Sequence, residues 1–198
     1  MSENRERTRA LKPGLRFFLF ALILLVAAVT VLAQVPRSQP DAWSEARSGF
    51  VIRLGPSEVW EKLQNLRLAH HYVPGVERVE MLTSRTSGVG ASRRIFQDSG
   101  DTLDETVVEW EEGRGFEIRL HRGPEGPPPP FERARFRYWI EKGEGEETHL
   151  SLTILYQPSG GRVGEWVDEM ILNSEMSKRM RELGVSMRDY YEAGSVVR

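Results

Sequence analysis

The chain has 198 residues, of which 39% are hydrophobic and 28% are charged, a composition typical of a globular protein and not of a disordered or collagen-like one. The formal net charge of -2 excludes the strongly basic surface that general nucleic-acid binding requires. The absence of cysteine excludes disulfides, thiolate metal sites and a cysteine nucleophile.

The N-terminus combines a basic tip, residues 1–16, with a long apolar segment. Residues 17–35 carry no charge, and Phe17–Ala33 reads as an almost unbroken apolar run. A stretch of this length spans about 30 Å as a helix, which is the thickness of a bilayer's hydrocarbon core. Residues 17–35 are therefore predicted to form a transmembrane anchor.

Two other interpretations of residues 17–35 stay open. Val31, Leu32 and Ala33 precede Gln34 much as in a signal-peptide cleavage site, and a buried soluble helix is the third alternative. In both membrane-related interpretations, the basic tip holds the N-terminus in the cytoplasm. We expect a single-pass membrane protein with an extracytoplasmic domain, or a secreted or periplasmic protein if the segment is cleaved.

The region after the apolar segment is predicted to be a tether followed by one domain. Residues 36–45 contain two prolines and several polar side chains, which suits a short linker. The folded domain is expected over residues 46–193, with a tail at 194–198.

The hydrophobic period changes along this domain in an ordered way. A strand is predicted over Phe50–Leu54, a helix follows the Gly55-Pro56-Ser57 step, and a second short helix covers Leu68–Tyr72. Six more strands are predicted, nearly all separated by glycine-bearing turns: Val76–Thr83, Ala91–Gln97, Leu103–Glu111, Phe116–His121, Arg133–Glu141 and His149–Gln157. A long helix is predicted over Arg162–Tyr191.

Short connections between consecutive strands favour antiparallel neighbours. The apolar face of such a sheet has to be covered, and only one long helix is available to cover it. The prediction is an α+β fold in which a seven-stranded antiparallel sheet curls around the C-terminal helix, with two short helices after the first strand and the N-terminal transmembrane helix outside the domain.

Three motifs in these elements connect the chain to a known superfamily. They are the Pro-x-x-Val-Trp start of the first helix at Pro56–Trp60, the Tyr-Val-Pro-Gly turn at Tyr72–Gly75, and the Gly-x-Gly-x-x-Arg hairpin at Gly88–Arg93. Together they resemble the helix-grip (SRPBCC) superfamily, which includes the polyketide cyclase/dehydrase and lipid-transport, START-related and pollen-allergen-like proteins. The resemblance covers Ser48–Tyr191. It implies a cavity for a hydrophobic ligand and often no catalysis.

Strand alternation predicts which side chains face this cavity. On the strand Leu103–Glu111, the more apolar face is expected to look inward. That face carries Thr106, Val108 and Trp110, while Glu105, Val107, Glu109 and Glu111 are expected outside. Phe136, Tyr138 and Ile140 are likewise predicted inside, with Arg135, Arg137 and Trp139 outside. No charged side chain breaks this partition, so no catalytic residue is predicted.

The ligand-binding residues are predicted to come from the sheet and from the long helix. They are Thr106, Val108, Trp110, Phe116, Ile118, Phe136, Tyr138, Trp166, Met170, Asn173, Ser177 and Met180. Asn173 and Ser177 are expected to meet water or the polar end of a ligand, and the alternative is a hydrogen bond to the backbone. The mouth of the cavity is expected where three connections cluster: Asp98–Asp101, Gly123–Pro130 and Gln157–Gly161.

No cofactor and no metal site are predicted. His70 and His71 are adjacent and point about 100° apart on a helix, and His121 and His149 lie singly in separate strands. Gly88-Val89-Gly90 precedes a strand instead of a helix, which indicates a hairpin turn and not a nucleotide-binding loop.

The leading functional hypothesis is a membrane-tethered domain that binds or transports a lipid or other hydrophobic small molecule. Its expected partners are that molecule and, through the N-terminal helix, the membrane, but not nucleic acid. The alternative is an exported cyclase- or hydrolase-like enzyme that uses a buried polar group in the same cavity. A structural component of an envelope complex is the third possibility.

Overall fold

The computed structural model describes residues 43–127, 129–160 and 172–193. The predicted anchor at 17–35 and the first part of the predicted long helix lie outside these ranges. Among the residues that the structure describes, no helix has the length and hydrophobicity needed to cross a bilayer.

The described elements follow the predicted order. The strands are β1 (Ser44–Ile52), β2 (Val76–Met81), β3 (Ser92–Gln97), β4 (Thr102–Glu111), β5 (Gly115–His121), β6 (Phe131–Lys142) and β7 (Thr148–Pro158). The helices are α1 (Pro56–Leu63), α2 (Ala69–Tyr72) and α3 (Asn173–Ala193), with a 3-10 turn at Leu66–Leu68. Strand β1 begins at Ser44, so it includes the end of the predicted linker and starts earlier than the predicted Phe50.

All seven strands form one antiparallel sheet in the order β1-β7-β6-β5-β4-β3-β2. Strands β2 to β7 are therefore a meander, and β1 closes the order by pairing with β7. This confirms the prediction of a seven-stranded antiparallel sheet that curls around a C-terminal helix. The short glycine-bearing turns explain the meander, because they leave too few residues for a crossover connection.

Helix α3 packs against β1 and presents an apolar face to the sheet. Its buried side chains are Met176, Met180, Leu183, Met187 and Tyr191. Gly184 lies on the same face and lets the helix approach the ring of Phe50 on β1. The helix therefore closes the interior next to the edge strand β1, and it carries Tyr191 to the side of the interior where α2 lies.

A β-bulge in β4 makes part of the predicted face assignment wrong. Val107 pairs with Ile118 and Glu109 pairs with Glu117, so Val108 is an extra residue between them. Before the bulge, Val107 is inside with only 1% of its surface exposed, and Thr106 is on the outer face. After the bulge the alternation changes phase, and Trp110 turns inward as predicted.

Candidate functional site

A charged pair lies inside the domain, where the sequence analysis expected none. Arg93 on β3 and Glu105 on β4 are directly opposite each other in the sheet. The side chain of Arg93 is 2% exposed, its Nε donates to Glu105 Oε2 at 2.6 Å, and one Nη donates to the backbone oxygen of Leu66. Burial lowers the pKa of Arg93, but the Glu105 carboxylate together with Tyr72 and Tyr138 more than offsets this and raises it, so the guanidinium stays charged.

Three buried tyrosines surround this guanidinium. Tyr72 comes from α2, Tyr138 from β6 and Tyr191 from α3. Tyr72 and Tyr138 lie within interaction distance of Arg93, and the rings of Tyr72 and Tyr191 meet edge to face with their centroids 5.8 Å apart. Burial raises the pKa of all three phenols, so each is a neutral hydrogen-bond donor at physiological pH. We call Arg93, Glu105, Tyr72, Tyr138 and Tyr191 the interior polar cluster.

The hydroxyl of Tyr191 stands out within the interior polar cluster. It is buried and makes no hydrogen bond, and in the described part of the chain only Gln157 Nε2 shares this condition. Buried polar atoms in folded proteins are nearly always hydrogen-bonded to protein, water or a ligand. The hydroxyl of Tyr191 therefore has a hydrogen-bonding capacity that the described part of the chain leaves unused.

An aromatic ladder continues from the interior polar cluster along the sheet. Trp110 stacks on Phe116 at 5.3 Å between ring centroids, Phe116 contacts Tyr138 at 5.0 Å, and Tyr138 contacts Phe136 at 4.7 Å. Tyr138 thus belongs to both groups. The interior therefore combines an aromatic wall with polar side chains that adjoin it at Tyr138.

The structure brings together about half of the predicted ligand-binding residues. Trp110, Phe116, Ile118, Phe136, Tyr138 and Met180 all face the interior. Val108 is the half-buried extra residue of the bulge. Ser177 is half-buried on α3, while Trp166 and Met170 lie outside the described residues.

Two predicted residues are placed in other surroundings. Thr106 is on the outer face, where its hydroxyl meets Ser92 Oγ at 3.0 Å and His121 Nε2 at 2.8 Å. Asn173 is the first residue of α3, and its Nδ2 donates to the backbone oxygen of Glu45 at 3.2 Å. This contact agrees with the alternative prediction, in which Asn173 hydrogen-bonds to the backbone. Neither contact involves the interior polar cluster.

The residues that sequence reasoning missed are Arg93, Glu105, Tyr72 and Tyr191. An arginine followed by a second arginine on a short strand reads as a solvated pair, and nothing in the local pattern separates Arg93 from Arg94. Arg94 does face outward, where it pairs with Asp104 at 2.7 Å. Each arginine has a carboxylate directly opposite on β4, Glu105 for Arg93 and Asp104 for Arg94, so only the face of the sheet that each occupies distinguishes the two.

The three connections that were expected to cluster do lie at one end of the sheet. Both the backbone nitrogen and the hydroxyl of Ser159 donate to the backbone oxygen of Pro130, at 2.7 and 2.8 Å. Arg122, beside the β5–β6 loop, lies 3.9 Å from Asp101. The placement of a cavity mouth at this end stays a prediction.

Solved structures with this architecture are similar to the chain. Ara h 8.0201 matches with a TM-score of 0.59 and 11% identity, covering 77% of this chain and 99% of its own. A protein from Thermus thermophilus matches with a TM-score of 0.58 and 19% identity, and the match covers 77% of this chain and 99% of that protein. The Zhui aromatase/cyclase from a Streptomyces species matches with a TM-score of 0.54 and 16% identity, and the match covers 75% of this chain and 96% of that protein. At these identities the likeness shows the fold.

The sequence itself identifies the family. A comparison with curated protein sequences finds no match. The family model described as polyketide cyclase / dehydrase and lipid transport matches residues 45–192, which includes every described strand except the first residue of β1. The chain therefore belongs to the polyketide cyclase / dehydrase and lipid transport family.

Proposed function

We propose that this domain binds an apolar small molecule that carries a hydroxyl or carbonyl group, held in the interior between the sheet and α3. The observation that carries the proposal is the buried hydroxyl of Tyr191, which has no hydrogen-bond partner in the described part of the chain. Leaving such a group unsatisfied costs about 1–3 kcal/mol of stability. A bound molecule with a polar end supplies the missing partner.

The charged pair in the interior polar cluster supports the same proposal. Replacing a buried ion pair by apolar side chains of similar size is often neutral or stabilising, so Arg93 and Glu105 are a poor way to stabilise a core. A guanidinium beside neutral phenols is a good way to receive a carbonyl or hydroxyl oxygen. Membership in a family that includes lipid-transport proteins supports a hydrophobic ligand.

A cyclase-like activity is the second candidate, because the guanidinium of Arg93 is able to polarise a carbonyl group. One of the similar structures is named an aromatase/cyclase, which supports this candidate at the level of the family. The phenols do not favour base catalysis, since burial raises their pKa and keeps them protonated. The interior polar cluster is therefore better suited to binding and orienting an oxygen than to removing a proton.

Residues 17–35 are proposed to anchor the domain to a membrane, with the N-terminus in the cytoplasm and the domain outside it. A tethered domain meets membrane-dissolved apolar molecules at a high local concentration. In intact spheroplasts, added protease should digest the domain and spare a tag at the N-terminus. Protection of the domain under these conditions would contradict the proposed topology.

Two probes of nearly equal shape test the binding proposal. We expect the protein to prefer 2-naphthol over 2-methylnaphthalene by about tenfold, because only the naphthol hydroxyl hydrogen-bonds to the interior polar cluster. Tyr191→Phe should abolish this preference while leaving thermal stability unchanged or higher. Tyr190→Phe is the matched control, because Tyr190 is half-buried and stacks on His71. Equal affinity for both probes in the wild-type protein would overturn the proposal.

A further inference from the structure

A cavity lies on the outer face of the sheet, beside the loop that connects β5 to β6. Its volume is about 380 Å³, within the range of small-molecule sites. The side chains that matter for its chemistry are Trp43, Arg119, His121, Arg133 and Arg135. The arginines alternate along their strands with residues that face the interior, so this cavity and the interior polar cluster are on opposite faces of the sheet.

The arginines of this cavity are arranged in a way that does not stabilise the sheet. Arg119 on β5 and Arg135 on β6 are directly opposite each other, and like charges in such positions are destabilising. Arg135 is partly compensated, because its Nη1 donates to the buried carboxylate of Glu117 at 2.9 Å. The same carboxylate also accepts from Arg137 at 2.6 Å, so it neutralises only one of the two charges.

Two guanidiniums of the cavity are not held in an ion pair by a described carboxylate. Within the described ranges, neither Arg119 nor Arg133 forms an ion pair. Glu125 and Glu132 also line the cavity, but they form no ion pair with these arginines. Arg135 is held in place from the other side by Trp43, whose ring centroid is 5.4 Å from the guanidinium carbon. The cavity thus combines three guanidiniums with two carboxylates, and in the described ranges Arg119 and Arg133 are the two guanidiniums without an ion pair.

His121 lies on the same wall, and protein atoms already engage both of its ring nitrogens. Its ring joins a chain of four contacts: Nδ1 with Gly123 O at 2.9 Å, Nε2 with Thr106 Oγ1 at 2.8 Å, Thr106 Oγ1 with Ser92 Oγ at 3.0 Å, and Ser92 Oγ with Glu105 O at 3.0 Å. These contacts hold the ring in a fixed position and engage both of its nitrogens.

We propose that this outer cavity binds a phosphate group. A phosphate monoester carries close to two negative charges at neutral pH, so it attracts the guanidiniums of Arg119, Arg133 and Arg135 more strongly than a singly charged carboxylate does. The planar fork of arginine also fits two phosphate oxygens at once. The phosphate comes either from a small soluble phosphate ester or from the headgroup of a phospholipid, and the chemistry of the cavity is the same for both.

Phenyl phosphate is a suitable probe, with benzoate as the monoanionic comparison. With the full chain in non-ionic detergent, we expect phenyl phosphate to shift the arginine Nε–Hε NMR signals and to bind more tightly than benzoate. Arg119→Gln and Arg133→Gln should each weaken this binding by about tenfold or more. Arg122→Gln is the matched control, because Arg122 is next to the cavity but does not line it. Its effect should stay within about twofold, as expected for a screened surface charge.

A second measurement separates a binding role from a structural one. Without phosphate, Arg119→Gln should melt at the same temperature as the wild-type protein or higher, because it removes the repulsion from Arg135. Nanodiscs of phosphatidylcholine with and without phosphatidic acid then identify the source. If the arginine Nε–Hε signals shift only in nanodiscs that contain phosphatidic acid, the phosphate comes from a lipid headgroup. If they shift with phenyl phosphate but not with phosphatidic acid, it comes from a soluble ester.

Three outcomes would overturn the proposal: no binding of phenyl phosphate, an equal effect of Arg122→Gln and Arg119→Gln, or a lower melting temperature of Arg119→Gln with binding unchanged. None of these outcomes affects the proposed binding of an apolar molecule, since that proposal concerns the opposite face of the sheet.

Discussion

Gly184 of α3 lies directly against the aromatic ring of Phe50 on β1. A Cβ atom at position 184 would overlap the ring atoms of Phe50, whereas one at Gly49 would meet nothing within 4 Å. The close approach sets the distance between the helix and the edge strand. Because Met187 and Tyr191 follow on the same buried face of α3, this contact also positions the helical side of the interior polar cluster.

Gly184→Ala is therefore expected to destabilise the domain by about 1–3 kcal/mol, the usual cost of overpacking, although alanine is the better helix former. In a Phe50→Ala background the same substitution should be neutral or stabilising, because the obstacle is gone. Chemical denaturation of the four proteins measures this reversal of sign. Gly49→Ala is the control and should change the free energy of unfolding little. An equal loss of stability for Gly184→Ala in the wild-type and Phe50→Ala proteins would contradict the importance of this contact.

The Arg93–Glu105 pair should show strong coupling in a double-mutant cycle. Arg93→Met leaves the Glu105 carboxylate buried without its partner, and breaking a buried pair in this way typically costs about 3–5 kcal/mol. The double variant Arg93→Met/Glu105→Leu should lose much less than the sum of the single losses. The control is Arg47→Met, which should cost little because Arg47 and its partner Glu45 are both exposed, at 60% and 45%. Additive losses from Arg93 and Glu105 would show that the two side chains act independently.

Glu112 should make stability depend on pH. Both indole nitrogens, of Trp110 and Trp60, donate to its two carboxylate oxygens at 2.9 Å, and these hydrogen bonds lower its pKa from the ordinary 4.5. A group with a lowered folded-state pKa stabilises the fold above its unfolded pKa, and that stabilisation is lost as the pH falls through the folded pKa.

Glu112→Gln should therefore lower the melting temperature at neutral pH, and the difference from wild type should shrink as the pH falls below 4.5. The control is Glu111→Gln, one residue earlier on the same hairpin, where the carboxylate pairs with the exposed side chain of Arg114. If the difference in melting temperature between Glu112→Gln and wild type stays constant with pH, the charge of Glu112 does not contribute to stability.

Removal of residues 1–42 should leave a folded, soluble domain. Residues 41–198 form one compact unit that contains all seven strands and α3. We expect the truncated protein to melt cooperatively and to keep its preference for 2-naphthol. By contrast, truncation before Arg162 removes α3, exposes the apolar face of the sheet and should cause aggregation. An aggregated product of the first truncation at low concentration would show that the N-terminal boundary is wrong.

The sequence by itself determined the architecture, because the architecture depends on local signals. Alternating apolar residues mark the strands, glycine-bearing turns force antiparallel neighbours, and the Gly55-Pro56 step starts α1 with Pro56 at its first turn. The aromatic residues Phe116, Phe136 and Tyr138 were also placed inside correctly, since their strands keep a regular alternation.

Tertiary structure alone decided the candidate sites, because each depends on register and on elements that are distant in sequence. One extra residue, Val108, reverses the alternation of β4 and turns Glu105 inward towards Arg93. Tyr72 and Tyr191 are more than a hundred residues apart and meet only because α3 packs beside α2. The outer cavity likewise exists because the β5–β6 register sets Arg119 opposite Arg135, and a local sequence pattern carries no information about which residues face each other across strands.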